Sequence, residues 1–190
     1  MKTINYVLSG LGGQGILFLT KILATTALRK GYNILGAETH GMAQRGGSVV
    51  SHLRVGNARS SLIRAGAADF LISMDEHEAC RYLPYLKKGG MVFANAPSAT
   101  FPNEIVAAYL AENNIDYKAM AAGKTAMDMG SPRSTNLAMV AFYAAFDKGP
   151  LNADELRSTV DDISPGPFKE INLKIFDACY ETGRKMQDMN

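Results

Sequence analysis

Gly10, Gly12, Gly13 and Gly15, with Gln14 between the last two, form a GxGxxG turn. A short apolar run (residues 4–8) precedes it and an amphipathic stretch (residues 14–30) follows. Glycines so spaced allow a tight turn and let backbone amides approach a phosphate at a helix N-terminus. They would serve equally well for close packing of a helix on its strand, so both uses stay open. Glu38, near the end of the next apolar segment, stands where an acid would hold the ribose of NAD. Against NAD, the chain beyond Glu38 enters a polar, glycine-rich loop and not another helix.

That loop, from His40 to Ser48, is the second candidate. Arg45 beside Gly46 and Gly47 puts a guanidinium next to open backbone amides, a combination suited to anionic groups. Gln44 and His40 add neutral polar contacts. A loop whose glycines serve backbone geometry at an interface explains the same residues, and the pattern alone does not choose. The other candidates are weaker. His52 falls in a strand and reads as structural. His77 lies between Glu76 and Glu78, but adjacent helical positions do not face one another, so no metal pair is expected. Asp161 and Asp162 read as a solvated loop. Ser9, His40 and Glu38 do not make a hydrolase, because no GxSxG elbow is present. Met120, Met127 and Met129 flank residues 123–133, where thioethers could adapt to an apolar ligand or partner, though core filling is the better explanation for most of the methionines.

Composition narrows the class. With 47% hydrophobic and 20% charged residues, the 190-residue chain is globular and long enough to bury its own core. A net charge of +2 without a basic block excludes a nucleic-acid partner. The pairs Lys87-Lys88 and Arg184-Lys185 read as solvated helix ends. The two cysteines, Cys80 and Cys179, form no CxxC, so no metal site is expected and free thiols in a reducing cytoplasm are. No signal peptide and no apolar run long enough for a membrane span is found.

These residues must be positioned by alternating strands and helices. Strands are expected at residues 4–8, 32–37, 48–55, 70–73, 91–95 and 117–121. Helices are expected at 14–30, 76–86, 102–112, 134–146 and 151–160, with a tail helix from Pro167. Lys21, Thr25 and Arg29 leave one polar stripe on the first helix. Ser73 and Glu76 have capping-box spacing, and Gly89-Gly90 should break the chain before its strand. Residues 123–133 read as irregular. The fold class is therefore α/β: a single Rossmann-like doubly wound domain over residues 1–190. It should have a mostly parallel sheet, helices on both faces and a C-terminal helix.

The GLGGQG turn followed by ETHGMAQRGGSVVSHLRVG resembles the gamma-type subunits of 2-oxoacid:ferredoxin oxidoreductases. The HGMAQRGGS form of the loop is similar to the branch acting on indolepyruvate and other aryl pyruvates. Asn136, opening an apolar helix, resembles an asparagine the family places there. The resemblance covers essentially the whole chain, with residues 151–190 matching in helical character alone. It implies a cytoplasmic complex that oxidatively decarboxylates a 2-oxoacid to acyl-CoA and CO2. Thiamine diphosphate, magnesium and iron–sulfur clusters would sit on a larger partner subunit, which passes electrons to ferredoxin. No cofactor would be firmly bound by this chain, and none of its residues is expected to be catalytic. Its implied share is assembly, with coenzyme A contacts at Gly10, Gly12, Gly13, Gln14, Gly15, Glu38, His40, Gln44, Arg45, Gly46, Gly47, Ser48 and Asn136. In isolation the chain could pair with itself as a homodimer. The competing readings are a stand-alone NAD-dependent oxidoreductase and a purely structural assembly module.

Overall fold

The apolar run that opens the chain becomes β1 (Ile4–Leu11), a central strand of a six-stranded sheet. The computed structural model describes residues 2–40 (of His40 the backbone alone), 46–97 and 101–189. The remaining strands are β2 (Ile34–His40), β3 (Ser48–Val55), β4 (Ala68–Ser73), β5 (Leu86–Asn95) and β6 (Asp116–Met120). Their order is β2-β3-β1-β4-β5-β6, and β3 alone runs against the others. The sheet is thus mostly parallel, as expected.

Seven α-helices are described: α1 (Ile16–Arg29), α2 (Glu76–Tyr82), α3 (Glu104–Glu112), α4 (Ala122–Asp128), α5 (Thr135–Ala144), α6 (Ala153–Ile163) and α7 (Gly166–Asp188). Tyr6, Leu8, Leu53, Ile72 and Phe93 face a core shared with α1, α5, α6 and α7. The alternate residues Val7, Val50, Leu71 and Val92 face a second core closed by α2 and α3. Strands covered on both faces need continuous apolar runs, which is why ADFLIS is buried throughout. Helix α5, with nine buried residues, is the apolar rod between sheet and α7. No helix among the described residues is long and apolar enough to cross a membrane.

Several local expectations fail for identifiable reasons. Residues 123–133 are irregular only over 129–131: α4 occupies 123–128, because Asn95 Oδ1 accepts the Gly123 amide at 3.0 Å and starts the helix. Gly89-Gly90 does not break the chain before a strand. It forms a bulge within β5, where the pairing jumps from Ala68–Leu86 to Phe70–Met91. Lys87 is consequently a strand residue, not a helix end, and pairs with the nearly buried Asp69. Asp161 and Asp162 are helical; they bind Lys169 and Arg29 at 2.9 and 2.6 Å. The expected box at Ser73 and Glu76 is replaced by Asp75, whose side chain accepts from the amides of His77 and Glu78. A capping box does occur at Asn152 and Glu155.

The glycine turns at the carboxyl end of the sheet

The first turn joins β1 to α1 at the carboxyl end of the parallel strands, where open α/β sheets present ligand crevices. From β1 the chain goes one way, through α1 to β2. From β4 it goes the other, through α2 to β5, with the two helices on opposite faces. The turn lies at that switch point. Ser9 and Ser73, both buried, join the ends of β1 and β4 through a 2.9 Å hydroxyl contact. The Met74 amide donates to the Ser9 carbonyl at 2.8 Å, and Asn95 Nδ2 donates to the Met74 carbonyl at 3.0 Å. The strand ends are thereby tied into one rigid rim.

The glycines of the turn divide by what surrounds them. A Cβ on Gly10 would lie 2.6 Å from Gln14 Oε1 and 2.9 Å from Met74 Cβ, so Gly10 is needed for packing. Gly15 has φ +80°, and a Cβ there would lie 2.3 Å from Asn136 Nδ2. Asn136 is buried and donates to the Gly15 carbonyl at 3.3 Å, while its own oxygen takes the Leu137 amide. It therefore locks the start of α1 against α5. Gln14 turns inward too, accepting the Leu11 amide at 2.7 Å. Gly13 is different: its φ is +101°, and among the described residues nothing lies within 4 Å of its Cβ position. It is the open element of the turn. Helix α1 begins at Gly15 with no side-chain cap and no acid in its first turn.

The two turns are one structure. The Gly12 amide donates to the Gly47 carbonyl at 2.8 Å, and the Gly46 amide donates to the Gly12 carbonyl at 3.2 Å. Ser48 then starts β3 opposite Leu11. Gly10, Gly12, Gly13, Gln14, Gly15, Gly46, Gly47, Ser48 and Asn136 are thus brought together. Gln44 and Arg45 lie outside the described residues. The His40 backbone pairs with Val49. Glu38 is set apart: exposed, on edge strand β2, with the whole of β3 between it and β1. Two strand spacings amount to roughly 10 Å, so Glu38 does not stand beside the turn as a ribose-binding acid would.

Three residue groups were not legible in the sequence. Glu78, 3% exposed, takes the Ser48 hydroxyl on one carboxylate oxygen at 2.5 Å and Arg81 Nε on the other at 3.0 Å. Tyr82 Oη lies 3.2 Å from Ser48 Oγ. These contacts join segments far apart in sequence, and no local spacing announces them. The second group lines an open cleft of about 490 Å³ beside Asn136, including Phe18, Arg133, Leu137 and Phe168. Only the half-exposed Phe168 carried a sequence signal, as a tail-helix apolar position. The third is Ser9 with Ser73.

The remaining candidates have structural explanations. His52 is buried, accepts the Ile63 amide on Nδ1 at 3.2 Å, and is pushed by burial toward a lower pKa. His77 is exposed. Met120 is a core residue, while Met127 is exposed on α4. Cys179 is buried on α7, its thiol raised to about 11 by desolvation. Cys80 packs against the opposite core. Among the described residues no group of three or more His, Cys, Asp or Glu is placed to hold a metal ion.

Comparison with known proteins adds identity to this geometry. The family model for pyruvate ferredoxin/flavodoxin oxidoreductase matches residues 5–182, so the likeness runs through most of α7 and is more than helical character. Indolepyruvate oxidoreductase subunit IorB of Pyrococcus horikoshii is 34% identical, with 100% of both chains covered. The keto/oxoacid ferredoxin oxidoreductase gamma subunit from Geobacter sulfurreducens superposes with a TM-score of 0.74 at 21% identity, covering 95% of this chain and 98% of that one. A 2-oxoglutarate:ferredoxin oxidoreductase from Magnetococcus marinus, solved with 2-oxoglutarate, coenzyme A and succinyl-CoA, gives 0.77 at 19% identity. There the likeness covers 97% of this chain but 32% of that longer one. At such identities the two structures speak for the fold alone.

Proposed function

This chain belongs to the pyruvate ferredoxin/flavodoxin oxidoreductase family and is a subunit of a 2-oxoacid:ferredoxin oxidoreductase; on that premise we propose that it serves an aryl-pyruvate enzyme, such as one acting on indolepyruvate, and holds coenzyme A for acyl transfer. The reaction of the complex consumes a 2-oxoacid and coenzyme A, releases CO2 and acyl-CoA, and passes two electrons to ferredoxin. We read residues 1–190 as one domain acting inside that complex.

The donors of this chain do not fit the redox groups of such a reaction. An iron–sulfur cluster needs several thiolates converging on one point. Cys80 and Cys179 lie in cores on opposite faces of the sheet. We assign thiamine diphosphate, magnesium and the clusters to a larger partner subunit, which also meets ferredoxin. What remains for this chain is binding and orientation, the protein's usual share when a cofactor carries the chemistry.

The observation that carries the coenzyme A reading is the fused pair of turns with Gly13 open at the carboxyl rim. Beside Asn136, which locks that turn, lies the cleft lined by Phe18, Leu137, Phe168 and Arg133. Coenzyme A combines phosphates with a long, partly apolar arm. Exposed backbone and guanidinium groups suit the first, and an apolar cleft suits the second. Arg45 is assigned to the phosphates with Arg133, and Gln44 and His40 to the pocket edge.

Replacement of Arg45 or Arg133 by alanine in the assembled complex tests this. A rise in apparent KM for coenzyme A, with the complex intact, is the expected result. An unchanged KM in both variants would overturn it, and dissociation of the complex would favour a pure assembly role. The assembly reading has one observation in its favour: the Gly12 amide is spent on Gly47 and is not free for a phosphate. A stand-alone NAD enzyme is disfavoured by the place of Glu38. Calorimetry of the chain with NAD should show no binding heat.

A further inference from the structure

We propose that Glu78 is a positioning residue that holds the second glycine turn in register with the first, acting through the Ser48 hydroxyl. A buried carboxylate is costly unless donors surround it. Helix α2 would pack on the sheet with an apolar residue at that position, as it does with Ala79. The carboxylate is instead directed at the first residue of β3. It takes the Ser48 hydroxyl on one oxygen and Arg81 on the other, with Tyr82 Oη 3.2 Å from the same hydroxyl. Ser48 directly follows Gly46 and Gly47, and these carry both bonds to Gly12. The path from α2 to the open turn is therefore continuous: Glu78, Ser48, Gly47, Gly12, Gly13.

The geometry also supplies the reason for anchoring the turn from α2. Gly46 and Gly47 have no side chains with which to fix themselves, and Gly46 has φ +76°. Two backbone hydrogen bonds at an open rim would leave that end free to fray. A hydrogen bond to a buried carboxylate is stronger than a neutral one and keeps that end closed. Asp75 caps α2 from the end of β4, so the anchor is referred to the same strand rim that carries Ser9 and Ser73.

In function, this inference rests on the coenzyme A reading given above. In structure it stands alone, and the test separates the two. Ser48→Ala, Glu78→Leu and Glu78→Gln are compared in the assembled complex by kinetics, and by amide exchange at Gly12 and Gly46 with the β1 amides as control. Ser48→Ala and Glu78→Leu should speed exchange at Gly12 and Gly46 about tenfold while β1 keeps its protection. They should raise the apparent KM for coenzyme A about tenfold, with a smaller fall in kcat. Glu78→Gln, whose amide oxygen still accepts from Ser48, should recover most of both effects. Should Glu78→Leu fail to fold, Ser48→Ala carries the test, since it removes a single hydroxyl. Unchanged exchange at Gly12 and Gly46 in Ser48→Ala overturns the proposal. So does an effect spread evenly over β1. If the arginine variants leave the coenzyme A KM unchanged, the coenzyme A reading falls and the exchange result alone decides for or against Glu78.

Discussion

At the scale of residues, the glycine turn separates into parts with different duties. Gly15 combines a left-handed backbone with contact against Asn136. Gly15→Ala therefore adds backbone strain of about 1–3 kcal/mol to a clash that cannot be relieved without moving Asn136. The expected loss exceeds 2 kcal/mol, read as a lower urea midpoint. Gly13→Ala meets none of the described residues and bears the strain alone, so it should destabilise less while still obstructing the open face. His52 gives a pH prediction. Burial lowers its folded pKa, so the unfolded chain binds its proton first as pH falls. Stability should be constant above the unfolded value of about 6.5 and decline below it until the folded value is passed. His52→Gln should flatten that decline in a melting series over pH. The glycine pattern was legible in the sequence because turn chemistry is local, whereas Asn136 entered through the family resemblance alone, its contact with Gly15 spanning 121 positions. Glu78 was not legible, since a buried acid thirty positions from its partner carries no periodic signal.

Elements obey the same division between local and distant causes. β3 and the buried helix α5 were readable, the first from β-branched residues and the second from its unbroken apolar surface. α4 was missed because its start depends on Asn95, a residue at the end of β5. Strand order was equally out of reach: β3 inserts between β1 and β2 as an antiparallel strand, and that insertion removes Glu38 from the turn. The α5–α7 contact offers a test at this scale. A Cβ on Gly183 would lie 2.5 Å from Ala145 Cβ. Gly183→Ala would gain up to about 1 kcal/mol in helix propensity and lose about 1–3 kcal/mol to overpacking. Overpacking should win, giving a lower denaturation midpoint; a higher one would mean that α7 shifts without cost.

Seen whole, the molecule is built on a rigid carboxyl rim, where Ser9 and Ser73 tie β1 to β4. As a subunit of a 2-oxoacid:ferredoxin oxidoreductase, it depends for its function on what assembles with it. That conclusion needed two features together, because the glycine turn alone points to a nucleotide enzyme and only its union with the second turn departs from that pattern. The most direct measurement is reconstitution: the chain and the larger subunit proposed to bind thiamine and the clusters are purified separately, then assayed alone and mixed for coenzyme A-dependent reduction of ferredoxin by an aryl pyruvate. Activity in the mixture, with none from either component alone, is the predicted result. Turnover by this chain without its partner, or full coenzyme A-dependent turnover by the partner without this chain, would contradict it.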